Sequence, residues 1–257
     1  MEILIVSIIT FFAALLTFFS GFGLGTILTP IMLLYFPVEI AIALTGIVHF
    51  SNNIFKLFII GKNLNKDVLI KFGIPAIIAA FFGSLLLFNF DEDSFLYSIT
   101  LFEKEREVTT IKFIISVLLI FFALIDLIPF FKKISFNKNS LPIGGLLSGF
   151  FGGLTGNQGA LRSAFLIKII SDKKEFIATT VVISTLVDLT RLSVYSSNLL
   201  YIDFNEYYIL GLFSVSFAII GSIIGNKLLK KVTIDFLRFL VAILILAIAF
   251  SLSVGLI

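Results

Sequence analysis

A few side chains that do not belong in hydrocarbon stand inside long apolar runs, and they carry whatever chemistry this sequence has. His49, Asn52, Asn53 and Lys56 recur at i, i+3, i+4 and i+7, which places them on one face of a helix. Asp188 and Arg191 are i, i+3 neighbours, close enough to pair. An ionised group inside a membrane helix costs at least about 2.5–3.5 kcal/mol, so such residues read first as functional. The cations suit an anion: Arg162 offers a planar fork matched to sulfonate, sulfite or carboxylate oxygens. His49 is the sole histidine; it titrates near neutrality and would couple a proton to ligand movement. His49, Asn53, Lys56, Asp188 and Arg191 are therefore the candidates for gating or coupling. The blander readings are an Asp188–Arg191 pair that only locks helices, a Lys56 that snorkels to a nearby surface, and a His49 that only packs.

Two glycine-rich stretches would bring a ligand to these groups. They read Ser20-Gly21-Phe22-Gly23-Leu24-Gly25-Thr26 and Ser148-Gly149-Phe150-Phe151-Gly152-Gly153-Leu154-Thr155-Gly156-Asn157-Gln158-Gly159. Irregular backbone survives at membrane depth only where protein buries it or a wet cavity takes its polar groups, and a pair of such breaks marks a transporter binding site. Half-helix N-termini present unpaired N–H groups and positive charge. Gly21, Gly23, Gly25, Gly152, Gly153 and Gly156 would admit a ligand close to the backbone, with Thr26, Asn157, Gln158 and Arg162 adding side-chain bonds. Gly73, Gly83, Gly211, Gly221 and Gly225 fit helix packing by small residues instead.

Those groups need helices to hold them. With 59% apolar and 14% charged residues and a mean hydropathy of +1.14, the chain reads as an all-α polytopic membrane protein. Segments 39–60, 72–88, 111–131, 176–196, 207–226 and 236–256 have the length of single crossings. The runs 3–36 and 141–170 would span about 50 and 45 Å as continuous helix, and each contains a break, so each is expected to form a hairpin. Met1-Glu2-Ile3 lacks a basic signal-peptide start, so the first run is expected to stay as structure. The absence of cysteine removes disulfides and thiolate chemistry, one histidine precludes a multi-His metal site, and no GxSxG, HExxH or Walker pattern is present. No enzyme activity, cofactor or metal is expected.

Basic residues stay cytoplasmic. Lys62, Lys66 and Lys71, then Lys132, Lys133 and Lys138, then Lys227, Lys230 and Lys231 mark inside loops, leaving the acidic connections 89–107 and 197–206 outside. For Lys173 and Lys174 also to lie inside, 141–170 must leave and return on one face; both termini then fall outside. The halves align at drifting offsets: Ser20-Gly21-Phe22 on Ser148-Gly149-Phe150 at 128, Ala43, Thr45, Asn53 and Lys56 on Ala178, Thr180, Asp188 and Arg191 at 135, and Gly73, Gly83 and Ser84 on Gly211, Gly221 and Ser222 at 138. Each half holds one hairpin and three crossings, so the second enters from the opposite side. The reading is two inverted repeats, 1–131 and 141–257, joined by a basic cytoplasmic linker at 132–140.

The motif Ser20-Gly21-Phe22-Gly23-Leu24-Gly25-Thr26-Ile27-Leu28-Thr29-Pro30, the second Gly149-Phe150-Phe151-Gly152-Gly153-Leu154-Thr155-Gly156 and the duplicated polar helix resemble the TauE/SafE sulfite-exporter family over essentially the whole chain. The resemblance implies a permease of the bacterial inner membrane for sulfite, sulfonates and related organic anions. The first break departs from the family's richer glycine at Leu24 and Thr26. The expected function is secondary transport of a small anion by alternating access, with the lipid bilayer and a coupling ion, proton or sodium, as its other partners and no nucleic acid. The alternative is a channel or scaffold subunit that acts with a partner.

Overall fold

The computed structural model describes residues 2–18, 23–60, 63–89, 94–101, 103–128, 136–199, 205–228 and 234–257. Helices dominate them, as composition requires. Helix α1 (Glu2–Thr17) is followed, beyond the first break, by the short α2 (Gly25–Met32), and α3 (Val38–Ile60) then crosses about 34 Å at the usual helical rise. The next span is one rod in three parts, α4 (Lys66–Val68), a π turn (Leu69–Gly73) and α5 (Ile74–Leu87). Asn65 caps it by accepting from the Val68 N–H at 2.9 Å, and the π turn sits just ahead of Pro75, which has no N–H to give an α ladder. Helix α6 (Thr110–Leu127) closes the first half. The second half repeats the order with α7 (Leu141–Thr155), α8 (Gly159–Leu166), α9 (Lys173–Leu199), α10 (Asn205–Leu228) and α11 (Ile234–Ser253).

Four stretches are long and apolar enough to cross a membrane: Val38–Ile60, Lys66–Leu87, Lys173–Ser197 and Tyr207–Lys227. In the other two expected spans the described apolar helices are shorter, Thr110–Ile125 and Phe239–Ser253. The acidic connection 89–107 holds a feature absent from the sequence reading. Strands β1 (Phe95–Leu101) and β2 (Lys104–Thr109) pair antiparallel with Leu101 opposite Lys104 and Tyr97 opposite Val108. The Tyr97 hydroxyl donates to the Ser253 carbonyl, which puts the hairpin and the end of α11 on one face. On the other face Asn65 Nδ2 donates to Glu175 at 2.9 Å.

Glycines set how the rods pack. A Cβ at Gly145, Gly149 or Gly153 would strike the backbone of Phe72, Ala76 or Ala80, and one at Gly83 that of Phe150, so α7 and α5 run side by side in the same direction. Gly221 and Gly225 meet the backbone of Phe11 and Leu15 in the same way, so α1 and α10 also run parallel. Gly211 has nothing within 4 Å and takes no part in packing, contrary to expectation. Phenylalanines are not all lipid-facing: Phe58, Phe82 and Phe250 are exposed, but Phe72 and Phe122 are fully buried.

Candidate functional site

Both breaks lie at the middle of the molecule and touch. Gly23 and Gly156 adopt φ of +82° and +76°, a region that costs other residues about 1–2 kcal/mol. The carbonyl oxygen of Gly156 lies 2.9 Å from where a Cβ on Gly25 would stand. From this point α2 runs out to the hairpin face, where Leu33, Phe36 and Val38 line one cavity with Leu252 and Ile257. Helix α8 runs to the other face, where Phe165 stacks on Phe136 with centroids 3.8 Å apart. Gly144 at the start of α7 meets the same Phe165 ring, so 141–170 leaves and returns on one side as its charges require. Neither half-helix has a side-chain cap at its N-terminus, which leaves first-turn N–H groups at the centre.

Helices α3 and α9 cross beside the breaks and bring the two polar faces together. His49 Nδ1 lies 2.6 Å from Asp188 Oδ2, and Asn53 Nδ2 donates to that oxygen at 3.3 Å. Asp188 Oδ1 accepts from Arg191 Nε at 3.0 Å and from Gln158 Nε2 at 3.3 Å. Gln158 Oε1 in turn accepts from Arg162 Nη1 at 3.0 Å. Lys56 places its ammonium 5.2 Å above the Phe18 ring, a cation–π contact. All these groups are buried, Lys56 at 3% exposure and Arg162 at 2%. Lys56 therefore does not snorkel.

Lys56 and Arg162 share a small cavity with Gly23, Asn53, Thr180 and Ser184. Its volume, about 20 Å³, has room for one water molecule and for no larger anion. Among the described residues the buried charged groups are Lys56, Arg162, Arg191 and a single acid, Asp188. With three cations to one acid, these buried groups carry an excess of positive charge.

Not every expected site residue faces this centre. Gly152 makes room for the Gln158 side chain, whereas Gly153 packs on Ala80 and accepts from the Tyr195 hydroxyl. Gly153 is thus a packing glycine, and the irregular backbone of the second half is narrower than its sequence motif, only Gly156-Asn157-Gln158. Ser148, Gly149 and Phe150 lie inside α7. Thr26 is buried in α2. Asn52 turns away and accepts from Ser222 at 2.7 Å. Gly21, with Ser20 and Phe22, falls outside the described residues. The sequence reading missed Phe18 under Lys56 and Tyr195 against Gly153. Thr45 and Thr180 were visible only as a Thr-on-Thr match between the halves.

No curated protein and no solved structure matches this chain. The description Sulfite exporter TauE/SafE matches residues 6–252 of the 257. With buried cations gathered where two broken helices meet, inside a bundle of membrane-length helices, that match assigns the chain to the TauE/SafE sulfite-exporter family of membrane transporters, to which it belongs.

Proposed function

We propose that this protein carries sulfite, an organosulfonate or a related small anion by alternating access, with the anion held between the breaks at Lys56 and Arg162. The observation that carries this reading is the excess of buried positive charge around the cavity. Burying Lys56, Arg162 and Arg191 against Asp188, the one buried acid among the described residues, is costly, and an anion offsets that cost. The N–H groups at the starts of α2 and α8 would supply further donors.

The two halves are read as inverted repeats, 1–131 and 141–257. Reciprocal packing supports this: α1 lies along α10 as α7 lies along α5, and Gly221 meets Phe11 as Gly83 meets Phe150. The cavity is smaller than the ligand, so binding would need the groups around it to part. His49, beside Asp188, is the acceptor for a coupling proton. The setting is the inner membrane with both termini outside, as the basic loops direct.

The test is counterflow of radiolabelled sulfite into proteoliposomes of the purified protein, with thiosulfate, methanesulfonate, sulfate and acetate as competitors. Saturable exchange inhibited by the sulfur oxyanions is the expected result. Exchange that never saturates would favour a channel, and none with any of these anions would refute the assignment.

A further inference from the structure

Across the His49–Asp188 contact from the cavity, a second group of polar atoms is buried without partners. The side-chain nitrogen and oxygen of Asn157, the hydroxyls of Thr29 and Thr45, and Nη1 of Arg191 have no hydrogen bond among the described residues. Asn157, Thr29, Thr45 and Arg191 are each 0% exposed. They are close together. A Cβ on Gly156 would stand 2.7 Å from Arg191 Nη1 and 3.3 Å from Thr29 Oγ1, and one on Gly25 would stand 3.7 Å from Thr45 Cγ2. Asn157 follows Gly156 directly. A buried polar atom left unsatisfied costs about 1–3 kcal/mol, and several in one place mark a site shaped for something else.

The offset of 135 residues says what. It carries Thr45 onto Thr180, His49 onto Ser184, Asn53 onto Asp188 and Lys56 onto Arg191. Thr180, Ser184, Asn53 and Lys56 all line the cavity. Of their counterparts, Arg191 stands against Gly156 of the second break, Thr45 lies beside Gly25, which itself meets Gly156, and His49 lies between Asp188 and Gly23. Gly46, the counterpart of Val181, leaves room for the guanidinium: a Cβ there would lie 3.3 Å from Arg191 Cζ.

We infer that Arg191 Nη1, Asn157, Thr29 and Thr45 form a second anion subsite, in series with the one at Lys56 and Arg162. Asp188 bonds Nε of Arg191 and lies 2.9 Å from Nη2, so the edge turned to Gly156 has only Nη1 to offer. One guanidinium N–H, one amide and two hydroxyls fit the oxygens of a singly charged oxyanion such as hydrogensulfite. An anion leaving the cavity past His49 and Asp188 would be received there and released toward the hairpin face, where α2 ends.

The inference rests on the proposed transport of a sulfur oxyanion, and one binding experiment separates the two. Equilibrium dialysis of the purified protein against radiolabelled sulfite should find about two anions per chain by mass action. Thr29→Val with Thr45→Val, a change of shape by almost nothing, and separately Asn157→Leu should each lower this to about one, with the remaining affinity changed less than about twofold. Lys56→Met should also leave one, the one that the threonine pair controls. A single anion removed by Lys56→Met and indifferent to Thr29→Val/Thr45→Val would overturn the second subsite and leave the transport reading intact. A single anion removed by the threonine pair and indifferent to Lys56→Met would keep this subsite and overturn the assignment to the cavity. No bound sulfite at all would overturn both; should Asn157→Leu fail to fold, the threonine pair decides.

Discussion

The two sides of the α3–α9 crossing, read as equivalent positions of the two halves, differ in charge, and one exchange within these helices accounts for part of the difference, Arg162 on α8 for the rest. Where the first half has Asn53, the second has Asp188. On the Asn53 side Lys56 has no carboxylate partner among the described residues and rests on the Phe18 ring, sharing a small cavity with Arg162. On the Asp188 side Arg191 is compensated and His49 is held at 2.6 Å. One side of the crossing is thus cationic and the other compensated; in the proposed transport cycle that asymmetry would let one pathway bind an anion and still release it.

The largest effect is expected from erasing the difference. Asp188→Asn removes the charge difference at this pair of positions, strands Arg191 and takes the carboxylate away from His49, so it should destabilise the protein by about 3–5 kcal/mol. Thermal unfolding in detergent measures this. Asp188→Asn with Arg191→Gln should recover most of that loss, since no buried charge is then stranded. Sulfite exchange by the recovered protein separates the roles: activity makes the pair structural, and inactivity makes it part of the transport cycle. Arg162→Lys probes the cationic side. It keeps the charge but loses the fork and the bond to Gln158, and sulfite affinity should fall about tenfold, or 1.4 kcal/mol.

Much of this site was legible in the sequence because membrane interiors forbid idle polarity. His49, Asn53, Lys56, Arg162, Asp188 and Arg191 each stood out against apolar neighbours, and all meet at one place. The packing of α7 on α5 was not legible. Gly145, Gly149 and Gly153 look the same in sequence whether they admit a ligand or another helix's backbone, and only the neighbour decides. The hairpin at 95–109 was hidden by charges that read as loop, although Phe95-Leu96-Tyr97-Ser98-Ile99-Thr100-Leu101 has the β-branched and aromatic content of a strand. Thr29 carried no signal of its own.

Smaller effects refine the comparison at the breaks. Gly23→Ala and Gly156→Ala should each cost about 1–2 kcal/mol for the left-handed backbone. Gly156→Ala should cost more, because its Cβ meets Arg191 Nη1 at 2.7 Å against 3.0 Å to His49 Nε2 for Gly23. Equal melting temperatures for the two would show that the sides are not as unlike as their contacts indicate. Gly211→Ala, in open space within α10, should leave transport unchanged and add up to about 1 kcal/mol of stability through helix propensity.

The most direct measurement is sulfite exchange by Lys56→Met combined with Arg162→Gln, reconstituted beside the wild-type protein and shown to melt no lower. Both changes remove positive charge that lines the cavity and leave the Asp188–Arg191 pair in place, so the fold should persist while exchange disappears. Wild-type exchange in that variant would mean that the cationic side of the crossing does not bind the transported anion.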